Sequence, residues 1–326
     1  MIISRKDISD ISVDLDVELN AEELLEYVAA AKRHLASGLK IDGFRPGKIP
    51  PDVAAKHLNE SEIREEALQR AVNGSLMKAF EKENLRVLSQ ESFKIIENTP
   101  EKLVYKMRVV LFPTVKLGEY KGLSIARKKV EVTEAEIDSA MEELARLRGE
   151  GNELGIDRES MREGILMEKN EHEHERIHIE LLKQVVERST VTIPDIMVER
   201  QLDGMVGDFE RELSSRGMQL DAYLEEAKKK REDLRKDWSE QAKNQVKMSL
   251  VTEALAEAEH LKIEEEELEN EVQLRIQQFI AARPESDIKA LDKVNMDAVR
   301  GNLYSLMISK KVFEMLQEFS TIADAQ

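Results

Sequence analysis

Apolar and polar residues alternate strictly along residues 11–19, and this pattern predicts a strand with one buried face. Asn20 follows in a position suited to a helix cap, and apolar residues at helical spacing continue to Leu35. A longer helix is predicted over residues 61–82, with Met77 among its inward-facing side chains.

Alternation returns in two more segments, residues 92–97 and 103–112, which are therefore also expected to be strands. A strand, two helices and two further strands in this order are typical of an α+β arrangement. We expect an α+β N-terminal domain, with a small antiparallel sheet plus helices, over residues 1–113.

Residues 114–155 form a predicted linker and junction between two larger parts of the chain. Thr133 and Glu136 have the spacing of a capping box, which starts a helix that continues to about Leu147. The glycine-rich segment 149–155 then breaks the helical pattern. It lacks the glycine spacing and the preceding strand of a phosphate-binding loop, so we interpret it as a flexible junction.

Residues 156–326 carry a helical pattern almost throughout and predict an elongated, mostly α-helical C-terminal domain. Helix breaks are indicated at Pro194, Gly217 and Pro284. The helix that contains Trp238 should be about 30 residues long, or roughly 45 Å. No sustained heptad or fixed-period repeat is present, which argues against a coiled coil or a solenoid.

Composition narrows the class of protein. The chain has 326 residues, a net charge of −17 and only 4% aromatic residues, and this acidity argues against general nucleic-acid binding. It has no cysteine, so disulfides and thiolate metal sites are excluded. The first residues lack the apolar core of a signal peptide, and no apolar run is long enough to cross a membrane. We therefore expect a cytoplasmic protein.

The segment Gly43–Pro50 runs against this acidic background. It contains two glycines and two prolines, which end a helix and favour a stiff loop. Residues 32–48 around it carry five lysines and arginines against one aspartate, so the loop lies in a local basic patch. Exposed Phe44 between cations would indicate a contact tip. An ordinary interhelical turn with Phe44 in the core explains the local chemistry equally well.

The pattern Gly-Phe-Arg-x-Gly-Lys-x-Pro in this loop resembles the ribosome-docking motif of the trigger factor family of bacterial chaperones. The resemblance implies that Phe44 and Arg45 contact the large ribosomal subunit and that Lys48 attracts rRNA phosphate. It also implies that the glycines and the proline shape the tip. The implied ribosome-binding residues are Gly43, Phe44, Arg45, Pro46, Gly47 and Lys48.

The second half of the chain, from Val191–Pro194 into the long helices, also resembles this family. The resemblance implies three partners: a ribosomal protein and rRNA at the exit tunnel, nascent and unfolded polypeptides, and a second copy of the chain off the ribosome. No membrane contact is implied. The family also carries a prolyl isomerase domain, which should lie between the linker helix and the C-terminal helices. Because residues 121–208 contain no Phe, Trp or Tyr, we expect this domain and its activity to be absent, and the sequence leaves open whether by evolution or by engineering.

Other candidate chemistry is weak. Glu171, His174 and His178 fall on one helix face and could hold a metal, but a charged, solvated face is the simpler interpretation. We find no P-loop and no nucleophile motif, so we expect no catalytic residue, no metal and no cofactor. Methionines recur on the C-terminal helices, where an adaptable surface would accept many apolar sequences and several methionines would be exposed.

The sequence therefore favours an ATP-independent chaperone that docks on the large ribosomal subunit and shelters nascent chains, without isomerase activity. One rival is a ribosome-independent holdase or assembly factor in which the helical part alone is active. Two others are a prolyl isomerase acting from an unrecognised site and a helical adaptor with one defined partner.

Overall fold

A computed structural model of the protein describes residues 1–39, 53, 57–148, 157–281 and 295–324. Its contacts divide the chain into two compact units. The first contains residues 1–114 and 192–196, and the second contains residues 115–191 and 197–326. Within the described ranges, no helix is both long enough and apolar enough to cross a bilayer.

The first unit is built on a four-stranded antiparallel sheet with the strand order β1-β2-β4-β3. The strands are β1 Ile2–Ser9, β2 Ser12–Asn20, β3 Val87–Asn98 and β4 Lys102–Leu111. β2 buries alternate residues from Val13 to Leu19, as the pattern predicts. The pattern does not predict β1, because the polar run Ser4–Asp7 masks the alternation of a strand at the sheet edge.

The outer face of this sheet carries three ion pairs between β2 and β4. The Arg108 guanidinium binds both carboxylate oxygens of Asp14 at 2.6 and 3.0 Å, and this contact holds the pKa of Asp14 below its ordinary value. Two lysine pairs extend the row, Lys106–Asp16 and Lys102–Glu18, each at 2.9 Å. Exposed pairs of this kind contribute little stability individually, but they keep this face of the sheet polar.

Helices α1 Ala21–Gly38 and α2 Glu60–Lys82 complete the first unit. The predicted cap is confirmed: the side chains of Asn20 and Glu23 each accept a 3.0 Å hydrogen bond from the other's backbone N–H. Met77 is 61% exposed, so its predicted inward orientation is wrong. α2 packs through small residues four apart, including Ser75, and Met77 lies about 200° around the helix from Ser75.

The second unit is mostly helical. Its helices are α3 Glu134–Arg148, α4 Arg158–Arg188, α5 Asp195–Ser215, α6 Leu220–Ala227, α7 Arg231–Ala258, α8 Glu265–Ala281 and α9 Met296–Glu318. α5 belongs to this unit from Met197 onward. The capping box at Thr133 and Glu136 is confirmed by reciprocal hydrogen bonds. With the mixed first unit, this arrangement confirms the predicted fold class.

The core of the second unit joins α4, α7 and α9 to a two-stranded parallel sheet. Strand β5 Ser124–Arg127 pairs with β6 Thr321–Asp324, and Ile125 lies opposite Ile322. The sequence pattern predicts an extended linker where β5 lies and does not predict the pairing, because each strand has only four residues. The buried core residues include Ile177, Leu181, Val185, Val251, Leu255, Val312 and Leu316.

Helices α5, α6 and α7 share a smaller aromatic core. The Phe209 ring forms T-shaped pairs with Tyr223 and Trp238, with ring centroids 5.1 and 5.5 Å apart and interplanar angles of 80° and 88°. Arg235 of α7 also forms ion pairs with Glu199 and Asp203 of α5. These rings and the buried leucines around them form a cluster separate from the main core.

Candidate functional site

The loop predicted to dock on the ribosome cannot be placed. Gly43, Phe44, Arg45, Pro46, Gly47 and Lys48 all lie outside the described residues. In the second unit, apolar side chains are exposed on several of the described helices.

The largest group of such side chains lies on the α8–α9 hairpin, which we define as helices α8 and α9. The two helices are held by ion pairs from Arg300 to Glu269 at 2.6 Å and from Lys311 to Glu267 at 2.8 Å, and Val272 is buried. The apolar side chains that remain exposed on this hairpin are Leu274, Ile280, Tyr304 and Leu306. Leu306 is 58% exposed. Burial of such a side chain against a binding partner would be energetically favourable.

Half-buried side chains along α9 add to this exposed group, and we call the exposed and half-buried apolar side chains of the hairpin together the apolar strip. Val299, Leu303 and Met307 recur every four residues, and Leu306 lies beside this row. Glutamates at positions 264, 265 and 266 are exposed where α8 begins. Their charge opposes self-association of the strip when nothing is bound to it. The arrangement can therefore bind apolar segments weakly without specifying their sequence.

The methionines are less exposed than the sequence pattern predicts. Of the seven methionines at positions 197–315, Met218 lies between α5 and α6 and is 39% exposed, and Met315 is buried in the core. The other five, Met197, Met205, Met248, Met296 and Met307, are half-buried. Each of these side chains is partly covered by the protein and partly open to solvent. The same methionine can therefore pack in the fold and contact a bound apolar segment.

The three residues considered for a metal site do not act together. The His178 ring stacks on Phe313 of α9 with centroids 4.1 Å apart, and burial lowers the pKa of this histidine. His174 Nε2 instead lies 3.3 Å from the Arg127 guanidinium. Across the described ranges, no group of three His, Cys, Asp or Glu side chains is placed to hold a metal ion.

Glu173, between these histidines, has a structural role that the sequence did not indicate. Its carboxylate is buried and accepts hydrogen bonds from the Lys128 backbone N–H at 2.7 Å and from Arg176 at 2.7 and 2.8 Å. These bonds, chiefly those from Arg176, lower the pKa of Glu173 to about 2. Arg176 also donates to the Ala126 carbonyl at 2.7 Å, so the pair fastens the end of β5 to α4.

A second set of polar contacts joins the part of the linker that precedes β5 to the C-terminal end of α7. The Tyr120 hydroxyl donates to Glu259 at 2.6 Å, and Lys121 pairs with the same carboxylate at 2.8 Å. Lys121 also lies 4.4 Å from the centre of the Phe319 ring. These contacts raise the pKa values of Tyr120 and Lys121 and lower that of Glu259. These charged contacts therefore fasten the linker to the helices of the second unit.

Comparison with known proteins agrees with this architecture. The family model described as "Bacterial trigger factor protein (TF)" matches residues 1–144, and the model of the "Bacterial trigger factor protein (TF) C-terminus" matches residues 153–318. A solved structure described as "Promiscuous Substrate Recognition in Folding and Assembly Activities of the Trigger Factor Chaperone" covers 98% of this chain and is itself covered completely. It is 18% identical, with a TM-score of 0.54, and supports the fold.

Two curated relatives extend over nearly the whole chain. Trigger factor of Moorella thermoacetica is 24% identical over 416 positions, covering 94% of this chain and 92% of the relative. Trigger factor of Carboxydothermus hydrogenoformans is 22% identical, covering 98% and 99%. Since 94% of 326 residues is about 306, about 110 of the 416 positions with the Moorella protein are gaps in this chain. Together the two family models cover both units, and the chain belongs to the bacterial trigger factor family.

Proposed function

We propose that this protein is an ATP-independent holding chaperone that docks on the large ribosomal subunit near the exit tunnel and shelters nascent or unfolded polypeptides. The observation that carries the proposal is the exposed apolar strip of the α8–α9 hairpin in a chain that belongs to the trigger factor family. The working compartment is the cytoplasm, and off the ribosome the protein forms a homodimer.

Binding by the α8–α9 hairpin requires no nucleotide. Burial of apolar surface contributes roughly 25 cal/mol per Å², so several half-covered side chains give a weak but sequence-tolerant interaction. A client that folds withdraws its own apolar residues and dissociates without an external energy source. The lack of a P-loop motif in the sequence is consistent with this mechanism.

Docking is assigned to the loop that carries the family motif. Phe44 and Arg45 contact the large subunit, and Lys48 adds attraction to rRNA phosphate. Gly43, Pro46 and Gly47 give the tip its shape. Because phosphate contacts release counterions, ribosome affinity should fall as salt concentration rises.

Co-sedimentation with ribosomes tests the docking mechanism. The wild-type chain should pellet with 70S ribosomes, and the double variant Phe44→Ala, Arg45→Ala should remain in the supernatant. A matched control variant, Tyr304→Ala with Lys310→Ala, removes one exposed aromatic ring and one exposed cation from the second unit and should pellet like the wild type. Equal pelleting of the wild type and the loop variant would show that docking occurs through another surface.

The protein is also proposed to lack prolyl isomerase activity. The two family models leave only residues 145–152 between them, where the sequence has no aromatic residue to line a proline pocket. A proline-limited refolding assay with catalytic amounts of the chain tests this statement. Refolding at the uncatalysed rate is expected, and acceleration would contradict the proposal.

A ribosome-independent holdase or assembly factor is the alternative. The observation that favours it is that the apolar strip is formed entirely by the second unit, without the loop. Suppression of client aggregation, measured with and without ribosomes, separates the two. A holdase whose activity is unchanged by ribosomes and by the loop variant would support the alternative.

A further inference from the structure

The turn between α6 and α7 concentrates positive charge. Residues 228–236, which we define as the basic turn, contain six lysines and arginines and two acids, a net charge of +4 in a chain whose total is −17. Its first four residues, Lys228–Arg231, are consecutive cations, and all four are exposed. The basic turn is therefore a local positive surface on an acidic protein.

The basic turn lies at a distance from the main core of the second unit. α7 begins at Arg231, and its first fully buried residue in the main core is Val251, about 30 Å further along the helix. The buried side chains near the turn, Leu220, Leu224 and Leu234, belong to the smaller aromatic core of α5, α6 and α7. That core holds the turn in position, so a ligand would meet a surface that is already formed.

The cations of the basic turn divide into two groups. Lys229, Arg231 and Arg235 form ion pairs with acidic side chains of α5, α6 and α7 and so help to hold these helices together. The others form no ion pair with a described residue and are all exposed: they are Lys228, Lys230 and Lys236. These three ammonium groups remain available to a partner.

The local backbone gives an independent reason to assign a use to this charge. Lys228 ends α6 in the left-handed conformation, with φ 52° and ψ 38°, where glycine or asparagine is the usual residue because a Cβ is strained there. Lys230 and Arg231 stand at the N-terminus of the 28-residue helix α7, where the helix dipole disfavours cations. Charge kept at three positions where local structure opposes it indicates a function.

We propose that the basic turn binds RNA through its phosphates, with Lys228, Lys230 and Lys236 as the contacts. The inference rests on the proposed ribosome docking and gives the second unit an RNA contact of its own, besides the loop. The ammonium groups attract phosphate as point charges. The basic turn has no aromatic residue on which bases could stack, so the contact does not read sequence.

RNA fits this surface better than a membrane does. Segments that lie on a bilayer carry exposed apolar side chains beside their cations. The leucines nearest to the basic turn are instead buried in the aromatic core. Phosphate without an apolar layer beneath it is therefore the partner chemistry that the turn matches.

Binding of a labelled oligouridylate to the full chain, followed by fluorescence anisotropy at several salt concentrations, tests the site. Three phosphate contacts to a single strand contribute about −2 to the slope of log affinity against log salt. The variant Lys228→Gln, Lys230→Gln, Lys236→Gln should lose this part of the slope and bind about ten-fold more weakly at low salt. Oligocytidylate should give the same result as oligouridylate, because the bases are not read.

A matched control separates the basic turn from the net charge of the chain. Lys116→Gln, Lys183→Gln, Lys310→Gln makes the same charge change at exposed lysines of the second unit and should keep the wild-type affinity and slope. RNA binding that is unchanged in the turn variant, or weakened equally in the control, would overturn the inference. So would lysine-dependent binding of phosphatidylserine vesicles or polyglutamate in place of RNA.

Co-sedimentation with 70S ribosomes, measured in parallel, separates failure of this inference from failure of the proposed docking. The turn variant should pellet at low salt and dissociate at a lower salt concentration than the wild type. Pelleting and RNA binding that are both identical to the wild type would remove only the basic turn from the account. A wild-type chain that does not pellet would contradict ribosome docking itself, while the oligonucleotide result would still decide what the turn binds.

Discussion

The Tyr105 hydroxyl lies 2.7 Å from Ser75 Oγ, and both residues are fully buried between the sheet and α2. Ser75 Oγ also lies 2.5 Å from the Ala71 carbonyl, to which it donates a hydrogen bond. Among the described residues, the Tyr105 hydroxyl forms no other side-chain hydrogen bond. Loss of the Ser75 hydroxyl therefore leaves Tyr105 without a partner, whereas loss of the Tyr105 hydroxyl leaves Ser75 bonded to Ala71. Burial raises the pKa of Tyr105 to about 12.

This asymmetry predicts unequal effects of two conservative variants. Ser75→Ala leaves the buried Tyr105 hydroxyl without a partner and should lower the free energy of unfolding by about 1–3 kcal/mol. Tyr105→Phe leaves Ser75 bonded to Ala71 and should cost about 1 kcal/mol or less. Urea unfolding of both variants measures the difference. Equal losses would mean that the hydroxyl finds another partner.

The Glu173–Arg176 pair predicts a dependence of stability on acid. In the folded state the pKa of Glu173 is about 2, well below the ordinary glutamate value. Its stabilising contribution is therefore complete above the ordinary pKa and is lost as pH falls toward 2. Glu173→Gln should lower the free energy of unfolding by about 1–3 kcal/mol at neutral pH.

The difference between wild type and Glu173→Gln should shrink when unfolding is followed at successively lower pH. Glu175→Gln, an exposed neighbour on α4, is the matched control and should behave like the wild type throughout. A difference for Glu173→Gln that is constant across this pH range would show that packing, and not charge, explains the loss.

Two glycines with opposite surroundings predict opposite effects of alanine. A Cβ at Gly118 would lie 2.4 Å from the Arg188 carbonyl oxygen, a backbone atom that cannot move aside cheaply. Gly118→Ala should therefore destabilise the second unit by about 1–3 kcal/mol. Gly164→Ala, in α4 with nothing within 4 Å, should stabilise by about 1 kcal/mol because alanine favours the helix. Thermal unfolding compares them, and a shift of the same sign in both would contradict the geometry.

The α8–α9 hairpin predicts loss of holding activity without loss of fold. Leu306→Ser removes an exposed apolar side chain and should raise the concentration that half-suppresses client aggregation by about two- to ten-fold. Leu25→Ser is the matched control, because Leu25 is exposed to a similar degree (66%) but lies on α1 of the first unit. Light scattering of an aggregating client gives the measurement. If both variants act like the wild type, the strip does not bind clients.

The sequence predicts the N-terminal fold well because β2 alternates strictly and Asn20 caps α1 with a complete box. It does not predict β5 and β6, because two four-residue strands become recognisable only when their distant pairing is known. Met77 shows a similar limit: the helix period is correct, but the small residues that approach the sheet determine which face is buried. The positions of helices can be predicted from the local sequence pattern. Which elements pack against each other cannot.

The candidate sites divide in the same way. The docking loop is suggested by its motif alone, and its geometry lies outside the described residues. Glu173 stands in a run of histidines and glutamates and has no sequence signal that separates it from solvated neighbours. Its role depends on Lys128 and Arg176, which the fold brings to it.

The pairing of β5 with β6 also affects how the protein itself folds. Ile125 and Ile322 are opposite one another although 197 positions of chain separate them, and contacts of such long range slow folding. During synthesis, β6 is made after every described helix of the second unit. The core around β5 therefore stays incomplete until the end of the chain has been made. A chain proposed to guard newly made proteins therefore passes through a stage in which its own apolar core is open, and it becomes a client before it becomes a chaperone.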